Sequence, residues 1–330
     1  MEKILIVGGT NFIGRNLVER LIKLNQYEIT VFNRGKTNPE LFPQINKIRG
    51  DRKTNDIKLI CGQKWDYIID CSCYYPDSID KLLDSISGKV KRYILISTVS
   101  VYDNESDKSV LRNEEAKILG CTEEESKDTS DTTYGERKAE CERRLKKGNQ
   151  PYYILRPSLV YGRYDHTDRF YYWLYQVKKQ NEILVPNGGV QTFAVTYVED
   201  LINCIIESIN KEGESDIYNV TTFTKLSICD ILNNVSQMLD RNPSRQFADS
   251  TFLKSEGISE WYNLPLWLDC DYFTYGNAKM LANFDLQLTD FNTSLVRTIE
   301  YYDQLDWPVP KYGISEQRKL ELVNKLKDKS

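Results

Sequence analysis

Apolar residues in this chain fall into two arrangements that take turns along its first half. Ile4-Leu5-Ile6-Val7 is an unbroken apolar block, the pattern of a buried strand, whereas Phe12, Ile13, Leu17, Leu21 and Leu24 recur with a helical period. Tyr27 to Phe32 is the next block, Ile45 to Arg49 a short third, and Tyr67 to Cys71 a fourth, entered from Trp65-Asp66. Helical spacing returns from Ser78 to Ile86, and Arg92-Tyr93-Ile94-Leu95-Ile96-Ser97 reads strongly as strand. Strands that are apolar throughout must be covered on both faces. The alternation therefore predicts an α/β fold, a doubly wound parallel sheet with helices on either side. Ligands of such sheets bind beyond the carboxyl ends of the strands.

Residues 103–131 break the pattern with many Glu, Asp, Ser and Lys. They read as a solvated loop with one short helix, the alternative being a mobile flap over the site that follows. A helix is expected from Tyr134 to Lys147 and a strand from Tyr152 to Arg156, ended by Pro157. Further on come an aromatic-rich helix from Arg169 to Val177, a strand from Phe193 to Val198 and a helix from Glu199 to Ile209. A strand from Asp216 to Val220, a helix from Ser227 to Leu239 and a Trp-rich turn from Glu260 to Leu268 follow. Residues 1–160 are expected to form mainly a nucleotide-binding unit. Residues 161–330 form mainly a smaller C-terminal substrate-binding lobe, with about 191–222 returning to the first unit.

Composition removes several function classes. The 44 basic and 48 acidic residues leave a net charge of -4, which argues against a broad nucleic-acid or anionic-membrane surface. No apolar run approaches the ~18 residues of a membrane span, and the chain enters a strand directly with no signal-peptide core. Eight cysteines include no Cys-x-x-Cys pair, and the close pair Cys71-Ser72-Cys73 reads as packing at a strand end. A single histidine, His166, leaves almost nothing for a zinc site or a His-based triad, so no metal is expected. These features describe a cytoplasmic protein with reduced thiols.

Gly8-Gly9-Thr10-Asn11-Phe12-Ile13-Gly14 stands where a turn leaves the first strand and opens a helix. Glycine lets the backbone turn tightly and approach a pyrophosphate, and the helix start supplies N–H groups and a positive dipole end. Asn11 occupies the middle position of a G-x-x-G-x-x-G pattern, and Asn tolerates left-handed backbone angles. Gly8, Thr10, Asn11, Phe12, Ile13 and Gly14 are thus candidate dinucleotide contacts. The second strand ends in Asn33-Arg34, with Lys36 nearby, where an NAD-selective site usually has Asp or Glu. Cations there suit a 2′-phosphate, so NADP is favoured with NAD the alternative. Asp51 and Arg52, in Gly50-Asp51-Arg52, follow the third strand. Asp51 is either an adenine contact or a turn residue.

Thr133-Tyr134-Gly135-Glu136-Arg137-Lys138 places Tyr134 and Lys138 four apart, on one helix face. A phenol with an ordinary pKa near ~10 carries protons poorly at neutral pH, and a neighbouring cation favours its phenolate. Such a pair can exchange a proton with a substrate hydroxyl or carbonyl while a nicotinamide exchanges a hydride.

With this pair, the Gly-rich turn and Ser97-Thr98-Val99-Ser100-Val101-Tyr102 in order, the chain resembles the extended short-chain dehydrogenase/reductases, the NAD(P)-dependent epimerase/dehydratase family. The Rossmann-type fold is part of that resemblance. Gly-Gly-Thr-x-Phe-Ile-Gly, Phe-Asn-Arg-Gly-Lys-Thr and Gly-Asp-Arg are similar to a subgroup of bacterial reductase-like proteins and chloroplast stem-loop RNA-binding proteins. Leu155-Arg156-Pro157-Ser158-Leu159-Val160-Tyr161-Gly162 and Val198-Glu199-Asp200-Leu201 resemble two further family segments.

The resemblance implies Tyr134 as general acid/base, Lys138 as its partner and a ligand of the nicotinamide ribose, and Thr98 as the hydroxyl that donates to the substrate oxygen. It adds Cys71, Ser72 and Pro157 near the cofactor, and Ser100, Ser158, Arg169 and Trp173 near the substrate, with Arg169 facing an anionic group. Trp261, Leu264, Pro265 and Trp267 close the pocket or plug the second lobe. Val99 and Ser100 stand where dehydratases of the family carry an Asp-Glu pair, so dehydratase activity is not expected. The Asn of many nucleotide-sugar members is absent near Ser158 and Leu159.

The implied function is a reductase or epimerase acting on a secondary alcohol or ketone of a small-molecule substrate, a sugar or nucleotide-linked sugar, in a homodimer. An RNA-binding protein and a cofactor-sensing regulator are the alternatives.

Overall fold

The computed structural model describes residues 1–328. Seven parallel strands form the main sheet: β1 (Glu2–Val7), β2 (Tyr27–Asn33), β3 (Asn46–Arg49), β4 (Tyr67–Asp70), β5 (Arg92–Ile96), β6 (Tyr152–Pro157) and, later in the chain, β10 (Asp216–Val220). Their spatial order is β10-β6-β5-β4-β1-β2-β3, so the chain runs outward from β1 to one edge and then from β4 to the other. The Rossmann-type arrangement expected from the sequence is therefore present. The reversal of direction opens a crevice between the carboxyl ends of β1 and β4, where Val7 pairs with Asp70.

Alternate residues of each strand feed opposite faces. Ile4, Ile6, Ile29, Val31, Ile69 and Ile94 pack with Leu17, Val18 and Leu21 of α1 (Phe12–Leu24) and Leu201 and Ile205 of α6 (Val198–Asn210). Leu5, Val7, Phe32, Ile68, Tyr93 and Leu95 pack on the other side with Ile79 and Leu82 of α2 (Asp77–Ser85) and Cys141 and Leu145 of α4 (Tyr134–Lys147). Helix α4 has Glu136 in its first turn and Arg144, Lys146 and Lys147 in its last, matching the helix dipole at both ends. The polar stretch 103–131 contains one helix, α3 (Glu123–Lys127), started by a capping box between Thr122 and Glu125.

The remaining elements are β7 (Leu159–Tyr161), α5 (Arg169–Lys179), β8 (Glu182–Pro186), β9 (Thr192–Tyr197), β11 (Phe223–Ser227), α7 (Ile228–Leu239), β12 (Ser244–Ala248), α8 (Ser250–Ser255), α9 (Ala278–Asn283), α10 (Phe291–Gln304) and α11 (Glu316–Lys327). Strands β11, β9 and β7 form one small sheet, and β12 and β8 another. A separate core joins Phe170, Trp173 and Leu174 of α5 to Ile231 and Leu232 of α7, Leu295 and Ile299 of α10, and Trp267. Among the described residues no helix is long and apolar enough to cross a membrane.

Candidate active site

The glycines of the first turn are demanded by close packing. Gly8 and Gly9 have φ of 115° and 94°, a region that side chains other than glycine rarely adopt. A Cβ on Gly9 would lie 2.8 Å from Val31 Cγ1, and one on Gly14 would lie 2.6 Å from the Gly9 nitrogen. Helix α1 thus sits directly on the turn. Asn11 caps it without a side-chain capping bond, leaving the first-turn N–H groups free of that acceptor. Gly8 faces Cys71 and Ser72 across the crevice, with a Cβ reaching their Cβ atoms at 3.5 and 3.7 Å. A narrow cradle of open N–H groups between β1 and β4 fits the diphosphate of a dinucleotide.

At the end of β2, Asn33 is a strut. Its Nδ2 donates to the Gly8 carbonyl and its Oδ1 accepts from the Gly35 N–H, both at 2.8 Å. Asn38 Nδ2 donates to the Thr10 carbonyl at 2.9 Å, tying the same loop down again. Arg34 and Lys36 are exposed, with no ion-pair partner among the described residues. Arg49 is the register partner of Asn33, and its side chain would be 3.3 Å from a Cβ on Gly35. That third cation carries no mark in its local sequence and follows from pairing β3 with β2.

Asp51 and Arg52 part company. Asp51 Oδ1 accepts from the Lys53 N–H at 2.9 Å, as a turn residue does, and the residue keeps partial exposure. Arg52 is buried, its two Nη atoms donating to the Asp70 carboxylate at 2.5 and 2.8 Å. Tyr93 Oη donates to the same carboxylate at 2.7 Å. Asp70 is fully buried, which would raise its pKa, but the Arg52 charge and hydrogen bonds hold it below the usual value. Arg52, expected among the cofactor contacts, is thereby committed to the end of β4.

The Thr98–Tyr102 segment turns sharply after β5. Thr98 Oγ1 accepts from the Ser100 N–H at 3.2 Å and donates to Ser100 Oγ at 3.2 Å, so the two hydroxyls lie together. Helix α4 starts against this turn. A Cβ on Gly135 would stand 2.3 Å from the Ser100 carbonyl oxygen and 2.8 Å from Leu119 Cδ1, so glycine after Tyr134 is what lets the helix approach. Lys138, one turn on, is buried and donates to the carbonyls of Cys73 at 2.9 Å and Ile96 at 2.7 Å. One of its three N–H groups is left for a ligand. Burial alone would lower its pKa. Attraction to Tyr134, then to Cys73, Cys141 and Asp70, outweighs that and holds the ammonium above its ordinary value.

Two turns along α4, buried Glu142 accepts from Ser97 Oγ at 2.5 Å and from Arg156 at 3.0 and 2.6 Å. Arg156 also donates to Tyr102 Oη at 3.0 Å, which donates to Asn219 Oδ1 at 2.6 Å. This network, not anticipated from the sequence, fixes α4 relative to β5, β6 and β10.

The residues expected at the substrate divide. Ser100 is partly exposed beside Thr98. Pro157 is buried at the end of β6, paired with Val220. Ser158 is buried, its N–H and hydroxyl engaged with Thr196 Oγ1 at 3.0 and 2.8 Å. Trp173 is fully buried and donates to the Pro265 carbonyl at 2.7 Å, which places it in the core of the second lobe. Arg169 lies between the rings of Trp261 and Tyr312, 5.0 and 5.2 Å from their centroids, and makes no ion pair among the described residues. The second lobe also meets the first turn: Asn16 Nδ2 donates to the Arg163 carbonyl at 3.0 Å, and His166 stands edge-on to Phe12 at 6.2 Å. Among the described residues no group of three His, Cys, Asp or Glu could hold a metal ion.

Comparison with known proteins agrees with this fold. The profile of the NAD dependent epimerase/dehydratase family matches residues 4–221. The chloroplast stem-loop binding protein of 41 kDa b of Arabidopsis thaliana is 26% identical over 236 residues, covering 67% of this chain and 58% of the relative's length. UDP-glucuronic acid 4-epimerase from Bacillus cereus, in complex with UDP-glucuronic acid and NAD, superposes with a TM-score of 0.71 at 20% identity, covering 92% of this chain and 99% of that one. UDP-glucose 4-epimerase from Thermotoga maritima, with UDP-glucose, gives 0.72 at 16% identity over 92% and 99%. The Bordetella bronchiseptica enzyme WbmG in complex with NAD gives 0.72 at 18% over 95% and 97%.

Proposed function

Because this chain belongs to the NAD dependent epimerase/dehydratase family, we propose that it is an NAD(P)-dependent epimerase or reductase acting on a secondary alcohol or ketone of a sugar or nucleotide-linked sugar. The observation that carries this reading is the placement of Lys138. Its buried ammonium is fastened by the Cys73 and Ile96 carbonyls, keeps one N–H free and is drawn to Tyr134.

The dinucleotide, when bound, supplies a hydride acceptor and donor. Gly8, Gly9, Asn11 and Gly14 would hold its diphosphate, with Cys71 and Ser72 on the opposite wall and Lys138 on the nicotinamide ribose. Tyr134 takes the proton from the substrate hydroxyl and returns it to the carbonyl oxygen. Thr98 donates to that oxygen as charge builds on it. Val99 and Ser100 offer no carboxylate, which argues against the dehydratase branch of the family.

NADP is the favoured cofactor. Neutral Asn33 is occupied as a strut, and Arg34, Lys36 and Arg49 gather at the ends of β2 and β3. NAD, held by the B. cereus and B. bronchiseptica enzymes, is the competing choice. The reading also includes a cytoplasmic homodimer in which 1–160 mainly binds cofactor and 161–330 mainly binds substrate. RNA binding on the same fold is the second reading and draws on the stem-loop-binding relative. The net charge of -4 weighs against it, and a gel shift with a stem-loop RNA at low and high salt decides between them.

Tyr134→Phe tests the main proposal. Turnover of UDP-glucose or UDP-glucuronic acid should fall by at least about 10²-fold, the scale of general acid/base catalysis, with dinucleotide affinity unchanged. Undiminished turnover rules out the role given to Tyr134.

A further inference from the structure

The segment between β4 and α2 performs three tasks within a few residues. Cys71 and Ser72 border Gly8, and the Cys73 carbonyl holds Lys138. Tyr75 is absorbed by packing, with Lys53 at 3.8 Å and Arg137 at 5.0 Å from its ring centroid. Tyr74, between them, is used by none of this. It is 50% exposed, and its side chain makes no hydrogen bond to another described residue. Its ring centroid lies 6.4 Å from that of Tyr134, inclined at 42°. Half of the residue faces solvent, and the partial burial of the rest, followed by the interaction with Tyr134, raises its pKa. At neutral pH it is a protonated donor.

We propose that Tyr74 is a substrate-contacting, specificity-determining residue. Its ring forms the wall beside Tyr134 on which the C–H face of a pyranose rests, and its hydroxyl donates to a sugar oxygen next to the reacting carbon. A pyranose carries an apolar C–H face and a rim of hydroxyls, and an aromatic ring with a polar tip matches both. Adjacency to the proton-transferring phenol assigns Tyr74 to the sugar, the half of a nucleotide-sugar that reacts. This proposal rests on the nucleotide-sugar reading above.

The test compares wild type, Tyr74→Ala and Tyr74→Phe, each saturated with dinucleotide, by calorimetric titration with UDP-glucose, UDP-glucuronic acid and UDP. Tyr74→Ala should bind the UDP-sugars at least about tenfold more weakly while its affinity for UDP stays within about twofold, because only the sugar loses its wall. Tyr74→Phe, which keeps the packing, should raise KM about threefold at unchanged kcat, and it reads the hydroxyl's share even if the alanine variant fails to fold. Equal affinities in wild type and Tyr74→Ala overturn the proposal, as does an equal loss for UDP and the UDP-sugars. A wild-type protein that takes UDP but neither UDP-sugar, or none of the three, defeats the nucleotide-sugar reading itself and this proposal with it.

Discussion

Gly135 is the residue on which the approach of α4 to the Thr98–Ser100 turn depends, and Gly135→Ala perturbs it with one methyl group. The new Cβ would be 2.3 Å from the Ser100 carbonyl oxygen, 2.8 Å from Leu119 Cδ1 and 3.3 Å from the Ser100 carbonyl carbon. Relief to a tolerable contact requires the start of α4 to withdraw by roughly 0.7 Å or more, and the obstacle is backbone, which does not swing aside as a side chain would. Overpacking of this kind costs about 1–3 kcal/mol. Tyr134 precedes the methyl group and Lys138 follows one turn later, so both move away from the Thr98–Ser100 turn. Displacements near ~1 Å at reacting groups cost on the order of 10²-fold in rate. We expect kcat to fall between about tenfold and 10²-fold, while the turn at Gly8–Gly14 proposed to hold the diphosphate stays untouched. Steady-state turnover of UDP-glucose or UDP-glucuronic acid and thermal melting are the measurements. Gly120→Ala is the control, because nothing lies within 4 Å of a Cβ there. Turnover within twofold of wild type would refute the reasoning, and a lowered melting temperature with full turnover would reduce Gly135 to a packing residue.

Two other perturbations probe separate parts of the molecule. Asp165 is buried, and burial pushes its carboxyl from 3.8 up to about 7. The folded chain then holds that proton more tightly than the unfolded chain, so stability falls as pH rises from about 4 to about 7, by up to ~1.4 kcal/mol per pH unit. Asp165→Asn keeps an acceptor for the Thr167 N–H and hydroxyl, bonded at 2.9 and 2.8 Å, and cannot ionise. Its stability relative to wild type should therefore improve by roughly 2–3 kcal/mol between pH 5 and pH 8, and a pH-independent difference in melting temperature would contradict the assignment. Arg34→Ala should weaken NADP by about tenfold or more, the value of hydrogen bonds to a charged group, and leave NAD within about twofold. Equal losses for both dinucleotides in fluorescence titrations would remove the 2′-phosphate from this loop.

The legible parts of this molecule are those whose signal is local. Solid apolar blocks and helical periods gave β1 to β6 and α1, α2 and α4 within a residue or two of their observed limits, because a doubly covered parallel sheet leaves no doubt about which faces are buried. The short pairs of the second lobe carry no such mark. Strands β8 and β12 are five residues each and pair only with one another across some sixty positions, so neither is recognisable without the other. The site divides in the same way. Tyr134 and Lys138 are set by helix geometry, and the Gly-rich turn by its flanking elements. Arg52 stands in a motif suggestive of the cofactor, but its partner Asp70 lies eighteen positions on, at the end of a different strand. Ser158 likewise meets Thr196 only after folding. Trp173 has the spacing of either a pocket wall or a core residue, and burial decided for the core. The Glu142–Arg156 pair was hidden because a charged residue within an apolar strand announces a partner without saying which.

The lone histidine has a practical consequence. Since the chain contains one imidazole and that ring meets Phe12 edge-on at the start of α1, a proton spectrum of the intact protein holds one set of imidazole resonances, assigned without any labelling scheme. Ring currents from Phe12 displace those signals by an amount that depends on how the two rings sit. The protein thus carries its own gauge of how the second lobe leans on the nucleotide cradle, to be watched as coenzyme and sugar are titrated in.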